Sequence, residues 1–187
     1  MRGNRFKPLT WETLNPAQLK MVDSVMAGKR GSMQGPYNVL LRSPELGNLA
    51  QQFGEHTRFN SSLPLALNEL AILLVARFWT CQFVWWAHRR IAQEAGLEEG
   101  LIQAIATGQS PDGLTVGVAA VYGFCNELLQ TRAVSDAIYT VAVQLFGEAG
   151  VVDLMGTMSY YTLVSMSLNV DRYPLPDGEA AELKPLR

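Results

Sequence analysis

Three residues near the middle of the chain have the types and spacing that proton chemistry needs: Glu69, Cys81 and His88, within the run NELAILLVARFWTCQFVWWAH. If that run is helical, the i+3, i+4 and i+7 neighbours of Glu69 are Ile72, Leu73 and Ala76, and little water reaches the carboxylate. A carboxylate so placed is costly unless it is paired. It serves either as a proton donor or acceptor, or as a structural partner for Arg77 or a helix N-terminus. His88 shares a helical face with Cys81, Val84, Ile91 and Ala95. A histidine on an apolar face is ordinarily a satisfied core residue, yet a buried glutamate on the preceding helix shifts that balance. Each group is costly alone, and together they satisfy one another.

Cys81 is expected in the first turn of its helix, where free backbone N–H groups and the helix dipole favour a thiolate. It lies two turns from His88, about 10 Å along the axis, so a water, a substrate or Glu69 has to link them. Cys125 sits inside an apolar stripe and is read as an inert core cysteine. His56 has no evident partner and is expected at the surface or an interface. Trp85 and Trp86 flank His88 and either wall an apolar pocket or fill core. A zinc site is not expected, because an i, i+4 ligand pair with His88 would need position 84, which is Val84. Phosphate-cradling glycine loops and a nucleophile elbow are absent from the sequence.

The elements that must position these residues read as helices throughout. Asn15, Pro16 and Gln18 form a helix start, with Leu19, Val22 and Val25 on one face and Gly28 at the end. Pro44 opens a helix toward Phe59 with Leu46, Leu49 and Phe53 expected on its inner side. Pro64 opens a central helix through Leu67, Leu70, Ala71, Leu74 and Phe78. Thr80 is expected to cap a helix from Cys81 to about Ala95, stopped by Gly96. A shorter helix follows from about Glu98 to Thr107, and then a stripe of Leu114, Val118, Val121, Cys125 and Leu128. Ser135 is expected to cap a helix through Leu145, and the last helix to run from about Val151 to Asn169. The fold class is therefore all-α, with seven or eight helices and no sheet, in one domain over residues 1–187. Its core spans about 8–177, and the proline-bearing tail 174–187 is extended or disordered.

Composition closes off several functions. Fifteen Lys plus Arg stand against seventeen Asp plus Glu, a net charge of −2, with no basic block for a nucleic-acid backbone. The segment MRGNRFKPLTWETLNP has no apolar core of the signal-peptide kind, and two cysteines suit a reducing cytoplasm. Leu154 to Val170 lacks charge but carries six Ser, Thr or Asn residues, so it reads as a buried soluble helix and no membrane partner is expected. Only 17% of residues are charged, against roughly 25% in ordinary soluble domains. That deficit suggests surface hidden against another subunit.

The spacing Glu69, eleven residues, Cys81, six residues, His88 resembles the active-site segment of the carboxymuconolactone decarboxylase and alkylhydroperoxidase D superfamily, in particular its longer decarboxylase-like branch. PYNVLLRSPELGNLAQQFGEHTRF upstream and LFGEAGVVDLMGTMSYYTLVSMSLN downstream support it, over roughly residues 8–177. The superfamily's peroxidase members carry Cys-x-x-Cys, and Val84 stands at the second position here, so a disulfide-resolving cycle lacks its partner. The resemblance thus implies a decarboxylase or isomerase of a small carboxylated lactone or enolisable acid, working without metal or organic cofactor. His88 would be the acid/base, Glu69 its relay, and Cys81 a pocket residue. Alternatives are a thiol peroxidase using Cys81 alone and a non-catalytic binding protein. Arg42, Arg58 or Arg77 would anchor the substrate carboxylate. Relatives of this kind are trimers or hexamers, which implies a homo-oligomer.

Overall fold

Asn15 and Gln18 exchange hydrogen bonds at 2.9 Å, each side chain accepting from the other's backbone N–H, and this reciprocal cap starts the first helix. The computed structural model describes residues 4–185, so Met1 to Gly3, and Leu186 and Arg187 of the expected arm, lie outside the described residues. A short 3-10 turn at Trp11–Thr13 precedes α1 (Pro16–Ala27), α2 (Tyr37–Leu40), α3 (Pro44–Phe59), α4 (Leu65–Phe78), α5 (Gln82–Glu94), α6 (Glu99–Thr107), α7 (Val116–Thr131) and α8 (Asp136–Asp171). The architecture is all-α with eight α-helices and no strand among the described residues.

The hub is α4, whose residues Leu67 through Arg77 are all buried. Helices α5, α6, α7 and α8 pack around it, and its apolar surface, broken only by Asn68, Glu69 and Arg77 between Leu67 and Arg77, is the reason it can be covered on every side. A second cluster joins α1, α2 and α3 through Met21, Val22, Val25, Tyr37, Leu41 and Ala50.

Helix α3 faces the other way from the expectation. Leu46, Leu49 and Phe53 are 53%, 66% and 40% exposed, and the buried positions are Gly47, Ala50, Gln51, Gly54 and Thr57. Small residues won the inner face because large side chains from other helices fill the space. Met21 of α1 lies against Gly47, and the Tyr160 ring of α8 lies against Gly54. Phe78, expected in the α4 core, is also exposed.

The two helices expected around 135–145 and 151–169 run on as α8, broken at Gly147, where φ is 68° and ψ 171°. Only glycine adopts that backbone readily. Ser135 caps nothing through its side chain; its N–H and hydroxyl both donate to Glu127 of α7. The C-terminal half of α8 buries Leu154, Met158, Tyr160, Tyr161, Val164 and Leu168. Tyr139, Val141, Leu145, Val152 and Met155 are exposed. By length and composition α8 is long and apolar enough to cross a membrane, and 22% of its apolar 18-residue stretch is buried. The expectation of a buried helix therefore holds for part of α8 only.

The tail after α8 is extended and held in place. Leu183 is buried and exchanges two hydrogen bonds with the Gln82 side chain, Glu182 accepts from Trp85 and Arg89, and the Lys184 carbonyl accepts from Arg77.

Because a Cβ at Gly54 would overlap the Tyr160 ring, Gly54→Ala is expected to destabilise the protein by about 1–3 kcal/mol, although alanine is the better helix former. Urea denaturation reads this as a lower midpoint with an unchanged slope.

Candidate functional site

A link of three residues, Trp79 to Cys81, turns α4 back into α5. It closes as a Schellman arrangement, with Cys81 N–H donating to Ala76 O at 2.8 Å and Thr80 N–H to Arg77 O at 3.0 Å. Thr80 occupies the left-handed position at φ 48°, a strained place for a β-branched residue. It therefore does not cap α5 as expected; Cys81 occupies that position, its carbonyl accepting from Trp85 N–H. The tight link lays α5 along α4 and brings His88 level with Glu69.

Both residues are buried, at 6% and 3% exposure, and His88 Nδ1 lies 2.7 Å from Glu69 Oε2. Each answers the other's desolvation, which is the arrangement a buried ionisable pair requires. Tyr161 of α8 meets the His88 ring edge to face at a centroid distance of 4.8 Å and keeps it upright against Glu69. With Nδ1 committed to Glu69, Nε2 is the nitrogen through which His88 can act on a ligand.

His88 lines a cavity of about 70 Å³ together with Val84, Ala87, Ile91, Tyr160, Tyr161, Val164, Leu168, Phe83, Pro36, Arg30 and Arg58. One water needs roughly 10–15 Å³, so the space holds several waters or a compact planar molecule. Arg30 comes from the α1–α2 loop and Arg58 from the last turn of α3. The Arg30 guanidinium lies over the Tyr37 ring at 4.9 Å and donates to Gln34 O, and that of Arg58 lies over Phe59 at 5.0 Å. Neither has a carboxylate partner among the described residues. One end of the cavity thus carries two guanidiniums, with the Glu55 carboxylate beside them in an adjoining pocket, and most of the other lining residues are apolar. Burial pushes the Tyr160 phenol up to about 12, against the opposing pull of Arg30 and Arg58. Tyr161 is raised well above its ordinary value, again chiefly by burial. Both remain O–H donors at neutral pH.

The structure brings Glu69, His88 and Arg58 together and leaves other expected site residues apart. Arg42 donates to the Lys7 carbonyl, and it does not line the cavity. Trp85 is 1% exposed and sends its indole N–H to Glu182 of the tail, so it fills core and anchors the arm. Arg77 bonds the Lys184 carbonyl and Thr80, not Glu69. Cys81 is 1% exposed and is not a lining residue. Burial raises its pKa, with the Val84 and Phe83 backbone and Ser165 opposing more weakly, so the expected lowering is reversed. Cys125 is wholly buried in the core with its thiol raised further. His56 does have a partner: Nε2 lies 3.1 Å from Asp153 Oδ1, tying α3 to α8.

Arg30, Tyr160 and Tyr161 escaped the sequence reading. Two phenols in the otherwise apolar face of α8 were a usable signal, since a buried hydroxyl wants a partner. Arg30 lies in an irregular loop and gave none. Among the described residues no three His, Cys, Asp or Glu side chains gather as a metal site would need. No protein-family model matches the chain, and no curated protein matches it.

With its thiol raised and buried, Cys81 is expected to react with iodoacetamide at pH 7.5 at least about tenfold more slowly than a free thiol. Its rate should climb only as pH passes the ordinary thiol range. Mass spectrometry of the time course checks this, and a rate equal to that of free glutathione would show an accessible thiol of ordinary reactivity and overturn the expectation.

Proposed function

We propose that this chain is an acid–base enzyme that removes CO₂ from, or moves a proton within, a small carboxylated lactone or enolisable acid, needing no metal or organic cofactor. The observation that carries the reading is the buried His88–Glu69 pair, whose His88 lines a small cavity together with Arg30 and Arg58. The spacing of Glu69, Cys81 and His88 supports it, through the resemblance to the carboxymuconolactone decarboxylase and alkylhydroperoxidase D superfamily. The burial and raised pKa of Cys81 favour this reading over a thiol peroxidase.

Ionised Glu69 only accepts hydrogen bonds, so it fixes the proton of the pair on Nδ1 and directs the chemistry to Nε2. In the decarboxylation the bond between the substrate carbon and its carboxylate breaks. The electron pair moves into a conjugated carbonyl to give a dienolate, and CO₂ leaves. His88, as imidazolium, delivers the Nε2 proton to carbon and recovers one from solvent. The carboxylate that departs must lose its charge, and a guanidinium would stabilise it against leaving. Arg30 and Arg58 therefore hold a second acidic group on the substrate, bidentately where geometry allows.

The same reading takes the chain as a member of that superfamily acting in the cytoplasm as a homo-oligomer, with neither nucleic acid nor membrane as partner. Two free cysteines support a reducing compartment. The exposed Leu46, Leu49, Val116, Val141, Leu145 and Val152 support burial of apolar surface between copies.

Purified protein given carboxymuconolactone is expected to release CO₂, and His88→Gln to lower that rate by about a hundredfold or more, the usual contribution of a positioned acid. An unchanged rate in the variant removes His88 from the mechanism.

A further inference from the structure

The cavity that His88 lines is small for the task proposed for it. At about 70 Å³ it has room for about five waters, enough for a carboxylate and the carbons next to it, and the rest of a larger acid must extend beyond it. Beside it lies a second cavity of about 390 Å³, walled by Trp11, Met33, Phe83, Tyr173, Pro174 and Pro176. Phe83 lines both. The loop before α2 runs along the boundary, with Gln34 lining the outer cavity and Pro36 the inner one. Gly35 stands between them, and a Cβ there would meet Arg30 Nη2 at 3.2 Å and the Phe83 ring at 3.5 Å. The two cavities therefore adjoin, with Arg30 on the inner side and Phe83 at the junction. Tyr173 braces the outer wall against the same loop: its ring meets that of Phe83 edge to face at 4.7 Å, and its hydroxyl accepts from Gly35 N–H at 3.2 Å.

The two cavities differ in chemistry. Two guanidiniums and an imidazole line the inner one, whereas none of the described residues that line the outer one is charged. Aromatic rings, prolines and a thioether present flat or adaptable apolar surface there. Trp11 is 57% exposed, in a turn that buries no residue of its own. Its indole thus adds an apolar wall to this cavity and little to the core.

Building on the acid–base reading above, we propose that the two cavities form one binding site for an acid that carries an uncharged aryl group. The acidic end meets His88, Arg30 and Arg58, and the aryl ring lies past Phe83, against Trp11 and Tyr173. The ring supplies binding energy remote from the reacting carbon, which stays in the inner cavity with His88. An acid without such a group fills the inner cavity alone and is held more weakly.

Methylmalonate and benzylmalonate test this, since they share a pair of carboxylates and differ by one phenyl ring. Calorimetry on the full chain is expected to show benzylmalonate bound about 10- to 100-fold tighter, as burial of a phenyl ring implies. Trp11→Ala should take away about fivefold or more of that preference and leave methylmalonate within about twofold of wild type. Because Trp11 is exposed, the variant is expected to fold. In wild-type protein labelled with ¹⁵N, the Trp11 indole N–H resonance, assigned by its loss in Trp11→Ala, should move with benzylmalonate and not with methylmalonate. No gain from the ring, a gain that Trp11→Ala leaves intact, an unmoved Trp11 resonance, or no binding of either acid at millimolar concentration would each overturn the proposal. Failure of the acid–base reading shows separately, as CO₂ release from carboxymuconolactone that survives His88→Gln while the preference for benzylmalonate stands.

Discussion

A carboxylate in the middle of a helix buried on every side must be answered from a neighbouring helix, and Glu69 on α4 sets that demand. Leaving such a charge unpaired by removing its partner typically costs about 3–5 kcal/mol, a large share of the stability of an ordinary domain. The answer comes from His88, and much else follows from placing it. The Schellman link at residues 79–81 must be short, even with Thr80 in a left-handed conformation. Helix α5 must lie flat along α4, and α8 must press Tyr161 on the imidazole from the third side. The geometry around one buried acid thus fixes how three helices meet.

The cavity has a polarity that this pairing alone does not explain. Glu69 and His88 satisfy one another, so the positive charge lining the cavity comes from Arg30 and Arg58, with Glu55 nearby. Those guanidiniums come from a loop and a helix end, where water still reaches them in part. Their guanidiniums rest on aromatic rings, and both residues line the cavity. A small anion entering there exchanges water for two guanidiniums and apolar walls, a setting in which hydrogen bonds and charges act more strongly than in bulk solvent.

The sequence made the central pair legible because both residues stand in long helices with regular apolar spacing, where an odd polar residue is conspicuous. The all-α plan of seven or eight helices was legible for the same reason. What the pattern concealed were features decided by other parts of the chain. The inner face of α3 is built from Gly47, Ala50 and Gly54, which look unremarkable beside Leu46, Leu49 and Phe53 until Met21 and Tyr160 are seen filling the space. Trp85 resembled a pocket wall and turned out to serve the tail, because Glu182 meets its indole from 97 residues away. Arg58 could be guessed as an anchor from its type, whereas Arg30 depends wholly on the path of a loop. The thiol of Cys81 was misjudged through its helix position: the dipole argument holds for an accessible group, and burial outweighs it here.

The extended tail has a bearing on how the molecule comes together in time. The outer side of α5 is covered by contacts from Glu182, Leu183 and Lys184, and Gln82 waits 101 residues along the chain for both of its hydrogen bonds. During synthesis α4 and α5 emerge as a hairpin with Trp85, Gln82 and Arg77 still bare on that side. The outer side of the helix that carries the imidazole is therefore completed only once residues 182–184 have been made. Closing a loop of this length costs chain entropy, which the tail's contacts with Gln82, Trp85 and Arg77 must offset.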